Sequence, residues 1–238
     1  MYKVIGIDEA GKGPVIGSLF IAFSTVHLAE GLSALNDYQD KLEQLGVKDS
    51  KKLTPKKRGE LYTKLKEYMD IFYAQLTPAV IDDNNKSGFS LNDLEIASII
   101  QILEKEKPNL VLIDALTSSP ENFGEEISKR LSFDCKIISE NKADTKYPIV
   151  GAASIAAKQL REQELEEIRT NIGYNCGSGY PSDPTTKEFL KQHYNSKEFD
   201  FIFRKSWKTY QNLIKENLDK TIDEFIDKEV NEKEDNTK

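Results

Sequence analysis

Cysteine, histidine and tryptophan are scarce in this chain of 238 residues, with two, two and one copies respectively. Cys135 and Cys176 are too few for a disulfide framework and lack the spacing of a zinc site. That usage points to a reducing compartment, the cytoplasm. With only His27 and His193, a histidine-rich metal centre is excluded. No apolar run approaches the ~18 residues that span a membrane, so no membrane partner is expected. A strand-like pattern starts at Tyr2, and no signal peptide is expected ahead of it. The chain also lacks a surplus of base, its formal net charge being −7.

What is present is 38% hydrophobic and 31% charged residues, the balance of a globular domain with a real core. The charge is segregated. "IKENLDKTIDEFIDKEVNEKEDNTK" is acidic, whereas "VKDSKKLTPKKRGE" and "FIFRKSWKTYQ" are basic. A basic face on an acidic protein therefore stays open.

Hydrophobic periodicity predicts a strand over Tyr2–Ile7 and a second in "PVIGSLFIAFSTV", forming a hairpin. Thr54-Pro55 is a helix-start signal. "FYAQLTPAVID" reads as a strand, "SLNDLEIASIIQILEKE" as an amphipathic helix, "NLVLIDAL" as a buried strand and "FDCKIISE" as another strand. "YPIVGAASIAAKQLREQELEEIR" reads as a long helix. Ile214, Leu218, Ile222, Ile226 and Val230 recur every four residues, which predicts a C-terminal helix docked on the core. Strands first, then alternating helix and strand, indicate a mixed α/β protein.

Four carboxylates stand out by placement. Asp8 and Glu9 follow one apolar strand, Asp114 ends another, and Asp144 precedes the long helix. Strand ends are where open α/β sheets expose ligands. Any one such acid is most simply a solvent-exposed turn residue; four in these positions suit that reading less well. Gathered carboxylates repel and raise one another's pKa unless a cation neutralises them. An all-oxygen set without histidine or cysteine suits Mg²⁺ or Mn²⁺, and two such ions could hold a phosphodiester. Side chains alternate along a strand, so Asp8 and Glu9 can share one site only if the strand is ending there. The glycine turn "GKGPVIGS" matches neither the phosphate-binding G-x-x-x-x-G-K-[ST] pattern nor G-x-G-x-x-G. It reads as a tight turn or as backbone that approaches a ligand closely.

"GIDEAGKGPVIG", "DSKKL", "VLIDAL", "KADTKYPIVGAASIAAK" and "GSGYPSDPTT" together resemble type 2 ribonuclease H, ribonuclease HII, in its archaeal form. The matching segments run in order from Ile5 to Thr209. The resemblance implies a ribonuclease H-like α/β fold, a mixed sheet flanked by helices with a small helical C-terminal part. It implies a catalytic core over 1–170, a helical substrate-contacting part over 171–230 and a polar tail without fixed structure over 231–238. It also implies a monomeric cytoplasmic endoribonuclease. Such an enzyme hydrolyses the RNA strand of RNA–DNA hybrids and incises duplex DNA 5′ of embedded ribonucleotides, leaving 3′-hydroxyl and 5′-phosphate ends.

The family's catalytic metal ligands, holding two ions of Mg²⁺ or Mn²⁺, map onto Asp8, Glu9, Asp114 and Asp144. Gly11, Lys12 and Gly13 correspond to the loop whose backbone meets the 2′-hydroxyl, the group that distinguishes RNA from DNA. Tyr180 corresponds to the tyrosine that packs on the following deoxyribose. Ser50 and Lys51, and Ser154, Lys158 and Arg161 on one helix face, correspond to phosphate-binding or site-orienting residues. Arg204, Lys205, Trp207 and Lys208 offer a second duplex contact, with core packing the other reading of Trp207. Glu162 and Asn141 stand where the family more often has aspartate and histidine, and Lys12 where arginine is commoner.

Other readings are a ribonuclease H-like nucleic-acid-binding module with weak or no cleavage, a type 3 ribonuclease H, and a carboxylate-pair glycosidase. The four acids count against the inert module. Acids at position 8 leave no place for the N-terminal domain of type 3 enzymes. The basic helix face is unexplained by a glycosidase.

Overall fold

The structure is a computed structural model that describes residues 1–47, 53–115 and 117–218. Ser50, Lys51 and the tail beyond 218, with Ile222, Ile226 and Val230, lie outside the described residues.

Five strands form one mixed sheet: β1 (Tyr2–Ala10), β2 (Leu19–Leu28), β3 (Asp70–Leu76), β4 (Leu110–Asp114) and β5 (Lys136–Glu140). Their spatial order is β3-β2-β1-β4-β5. β1 runs antiparallel to β2 and parallel to β4, and β4 runs parallel to β5. The helices are α1 (Leu35–Gln44), α2 (Pro55–Leu65), α3 (Pro78–Lys86), α4 (Leu91–Glu106), α5 (Pro120–Arg130), the single turn α6 (Ala143–Lys146), α7 (Pro148–Ile172) and α8 (Pro184–His193). Among the described residues a further helix, α9, occupies 208–218. This is the mixed sheet flanked by helices that the sequence predicts.

Alternation along β1 sorts the core into two layers. Val4 packs with α1, α2 and the start of α7, whereas Ile5 and Ile7 pack with α3, α4 and α5 on the other face. Each such side chain removed from water contributes roughly 1.5–3 kcal/mol. α7 is buried on all sides from Pro148 to Ala157, the pattern of a helix inside a core rather than on a surface. Its approach to the sheet depends on Gly6, where a Cβ would lie 2.6 Å from the Ile149 carbonyl carbon. Ser24 donates to the Ile149 carbonyl at 2.5 Å and fixes the contact. A third apolar cluster joins Val15 and Ile16 to Ile168 and Ile172 of α7, Phe189 of α8, Phe199, Phe203 and Tyr210.

Two expected strands are shorter than their apolar runs. Pro14–Ser18 is loop, and β2 starts at Leu19. "FYAQLTPAVID" splits: β3 ends at Leu76 and α3 begins at Pro78, capped by the Thr77 hydroxyl accepting from the Val80 N–H. Thr-Pro is the same start signal that opens α2. The boundary expected at 170/171 falls within α7, two residues before its end. Ile214 and Leu213 pack on the third cluster, while Leu218 is exposed.

Candidate active site

Three of the four singled-out acids meet. Ile7 of β1 pairs with Ile113 of β4 in parallel register, which sets Asp8 beside Asp114 at neighbouring strand ends. Asp144 arrives from the turn after β5, where Lys142 in the left-handed conformation (φ 60°) starts α6. The Ala143 N–H donates to Asp114 at 3.1 Å and ties that turn to β4. One carboxylate oxygen each from Asp8, Asp114 and Asp144 lie within 4.8 Å of one another, and Asp8 and Asp144 are buried.

Burial pushes the Asp8 carboxyl up to about 7, and the charge of Asp114 adds to the rise. A hydrogen bond from Ser154 opposes it, as does the Glu9 N–H, which donates to Asp8 at 2.7 Å. Lys158 donates to the Ser154 hydroxyl at 2.7 Å, so its positive charge reaches Asp8 through one hydroxyl. Hard oxygen donors, burial and gathered negative charge fit a divalent ion such as Mg²⁺ or Mn²⁺.

Glu9 is not part of that trio. β1 does not end at Asp8 but continues to Ala10, so alternation turns Glu9 to the opposite face. There Lys12 lies 2.7 Å from Glu95 of α4, 3.5 Å from Glu9, and donates to Asn92 at 3.1 Å. Burial, then the charge of Glu95, pushes the Glu9 carboxyl up to about 8, and Lys12 pulls it back. One oxygen each of Glu9 and Glu95 is buried without a hydrogen bond among the described residues. A small cavity joins Glu9, Glu95 and Lys12 to Asp8 and Asp114.

The glycine turn forms the next wall. Gly11 has φ +98°, and a Cβ there would sit 2.7 Å from the Ser18 carbonyl and 3.1 Å from Arg161; both conformation and space require glycine. Across from it, the Arg161 guanidinium lies 4.9 Å from the ring centre of Tyr180 and donates to the Ser178 carbonyl. Val15 donates to the Gly179 carbonyl at 2.8 Å, which joins the two loops. Asp183 and Thr186 brace the second loop through the N–H groups of Ser178 and Gly179. Buried Cys176 offers its carbonyl to Thr186 and serves the packing.

One cleft is lined by Glu9, Gly11, Lys12, Gly13, Lys158, Arg161 and Tyr180, together with Arg58 and Glu162. Ser154 lies buried beneath it. Arg58 of α2 stands 3.9 Å from Glu162 and adds a cation that motif reading did not single out.

Two further residues take roles that the sequence did not signal. Glu164 accepts from the Ser18 N–H at 2.8 Å and from the Ser18 hydroxyl, holding the far end of the glycine loop. Arg204, expected to touch a duplex, is fully buried. It donates to the carbonyls of Gly11, Lys12 and Gly17, so it shapes the loop from behind. Trp207 packs between two apolar clusters, with the Arg204 guanidinium 5.0 Å from its ring centre. Lys205 pairs with Asp200 at 2.7 Å.

A mixed sheet carrying clustered aspartates at parallel strand ends, beside a basic cleft, defines a metal-dependent hydrolase of the ribonuclease H class. The sequence matches the family model described as ribonuclease HII over residues 5–210. It is 44% identical to ribonuclease HII of Thermococcus sibiricus, over 97% of this chain and 95% of that one. Among solved structures, the ribonuclease H2 of Pyrococcus horikoshii OT3 superposes with a TM-score of 0.78 at 38% identity, covering 89% of this chain and 96% of the other. The ribonuclease HII of Archaeoglobus fulgidus, solved as a complex with PCNA, gives 0.76 at 35% identity, covering 88% and 96%. The chain belongs to the ribonuclease HII family. It is an endoribonuclease that acts on RNA–DNA hybrids and depends on divalent metal. No helix among the described residues is long and apolar enough to cross a membrane.

Proposed function

We propose that Asp8, Glu9, Asp114 and Asp144 are the catalytic residues and hold two divalent ions, Mg²⁺ or Mn²⁺. On this reading the enzyme also incises DNA duplexes 5′ of an embedded ribonucleotide, leaving 3′-hydroxyl and 5′-phosphate ends. The observation that carries the reading is the buried aspartate trio flanking a basic cleft whose other walls are a glycine loop and Tyr180. When bound, the ions supply Lewis acidity to the attacking water and to the leaving oxygen. Glu9 adjoins Asp8 and Asp114 through the small cavity they share, and on this reading it would complete the set that holds the ions.

The chain's own residues do the remainder. Lys158, Arg161 and Arg58 present positive charge to phosphates in the cleft. Ser154 passes the charge of Lys158 to Asp8 and orients that carboxylate. The backbone of Gly11, Lys12 and Gly13 meets the 2′-hydroxyl, which DNA lacks. Tyr180, 39% exposed at the rim, packs on the sugar that follows. Ser50 and Lys51 are proposed phosphate contacts from the family pattern alone. So are the division into a core over 1–170, a substrate-contacting part over 171–230 and a tail over 231–238, and the monomeric state. Both cysteines are free thiols, which supports a cytoplasmic location.

The test is a DNA duplex with one ribonucleotide, incubated with Mg²⁺, Mn²⁺ or chelator, with the cut mapped. Incision 5′ of the ribonucleotide only with metal is expected; cleavage in chelator favours a metal-free carboxylate mechanism and overturns the reading. Tyr180→Ala is expected to lower kcat/KM about tenfold at a single ribonucleotide, from lost ring contact. It is expected to act less on long hybrids. Equal loss on both substrates counts against a role at the junction.

A further inference from the structure

Arg204 is a buried cation with an unusual set of partners. Its five N–H groups form a rigid fork, and three of them are spent on backbone: Gly17 O at 2.8 Å, Gly11 O at 2.7 Å and Lys12 O at 3.2 Å. Among the described residues no carboxylate lies within 4.0 Å of it, and burial pulls its pKa down to about 10, with Arg161 adding to the fall and the more distant Glu164 and Asp82 opposing it. A buried charge whose hydrogen bonds go to carbonyls is costly, and an apolar side chain of that size would fill the space with less penalty. The three carbonyls come from both ends of the glycine loop, so one side chain sets the span of the loop.

The peptide plane makes this directional. In a trans peptide, C=O and the following N–H point in opposite directions. Drawing the Gly11 and Lys12 carbonyls toward Arg204 turns the Lys12 and Gly13 N–H groups away from it. Among the described residues no acceptor takes either N–H. Both residues line the cleft.

Arg204 is itself held from several sides. Its N–H pairs with the Val15 carbonyl at 2.9 Å. Asp82 of α3 accepts from the N–H groups of Lys205 and Ser206 at 2.8 and 2.9 Å and from the Ser206 hydroxyl at 2.6 Å.

We propose that Arg204 is a positioning residue that fixes the loop 11–17 so that the Lys12 and Gly13 N–H groups donate to the ribose 2′-oxygen. The inference rests on the reading that this loop meets the sugar. It assigns selectivity for RNA to a side chain that touches no substrate.

Binding measured in chelator isolates selectivity from chemistry. The probes are a duplex with one ribonucleotide and its all-DNA counterpart, read by fluorescence anisotropy. The parent protein is expected to prefer the ribonucleotide duplex. Arg204→Lys and Arg204→Met are expected to lose that preference about tenfold, the equivalent of one or two hydrogen bonds. Affinity for the all-DNA duplex, and Mn²⁺ affinity measured by calorimetry, are expected to change less than about twofold. Thermal melting identifies the folded variants. Asp82→Asn keeps Arg204 and the loop residues but loosens the 205–206 segment that holds Arg204 in place, carries the test if the Arg204 variants do not fold, and is expected to give a smaller loss of preference. A folded Arg204 variant that keeps the preference overturns the inference, as does an equal loss on both duplexes, which marks general loosening. Where no Arg204 variant folds, an unchanged preference in Asp82→Asn overturns it. A parent protein without preference overturns the loop reading itself, and this inference with it.

Discussion

Asp8 and Glu9 share a peptide bond, yet their surroundings solve the same electrostatic problem in opposite ways. On the Asp8 face, three aspartates converge and the Lys158 ammonium acts through a serine hydroxyl. On the Glu9 face, the second acid is Glu95, and the Lys12 ammonium sits against both carboxylates. In one cluster a lysine ammonium contacts the carboxylates directly; in the other the lysine acts through a hydroxyl. Burial raises the pKa of Asp8 and of Glu9 alike, so the difference lies in the partner supplied, not in the depth. A gathering of acids is thus informative only together with the count of cations facing it.

The largest expected effect comes from removing the charge on the ion-requiring face. Asp8→Asn is expected to lower single-turnover cleavage on the order of a thousandfold, the scale of several kcal/mol of lost metal assistance. The same change removes a carboxylate whose charge is disfavoured by burial and by Asp114 more than the Ser154 bond and Lys158 favour it. In chelator at pH 8 the variant is therefore expected to melt a few degrees above the parent. Near-normal turnover, or a lower melting point, breaks the contrast.

Removing the internal cation is expected to act on stability first. Lys12→Met leaves Glu9 facing Glu95, at a cost of about 1–3 kcal/mol, reduced from the fully buried case because Lys12 is 30% exposed. Adding Glu95→Gln to that variant is expected to recover most of the loss. Urea unfolding of the four proteins of the cycle measures the coupling, and strict additivity refutes the pairing.

A smaller effect appears in pH dependence. In the metal-free protein, Asp8 is raised from 3.8 to about 7 and Glu9 from 4.5 to about 8. The folded chain then binds more protons than the unfolded chain across that window, so stability falls as pH rises through it. The melting temperature in chelator is expected to drop between pH 4.5 and 8. Adding Mn²⁺ is expected to restore it at pH 8 and to do little at pH 5, where protons occupy the ligands. Asp8→Asn should flatten the drop; an unchanged slope assigns the titration elsewhere.

Much of this was legible in the sequence. Apolar runs ending in acids located β1 and β4, and with them Asp8 and Asp114. The alanine-rich stretch located α7, and motif order supplied Asp144, Lys158, Arg161 and Tyr180, which the fold brings to one place. The split of Asp8 from Glu9 turned on two more residues of strand, a boundary that pattern reading resolves poorly. α3 was hidden because its apolar residues continue those of β3, although Thr77-Pro78 carried the start signal. The partners of Glu95 and Arg204 were invisible for a different reason. Their bonds reach Lys12 and Gly11 across 83 and 193 positions, and no local pattern encodes such distances. The basic composition of "FRKSW" even suggested the wrong location for Arg204.

That last separation has a consequence in time. Asp8, Asp114 and Asp144 all leave the ribosome before Arg204 is made. At 5–20 residues per second, the stretch from Asp144 to Arg204 takes roughly 3–12 s to synthesise. During that interval the nascent chain carries its acids without the clamp on the glycine loop. A chain terminated before position 204 stays in that condition permanently. The order of the residues thus delivers the acids of the site before the side chain that ties the two ends of the glycine loop together.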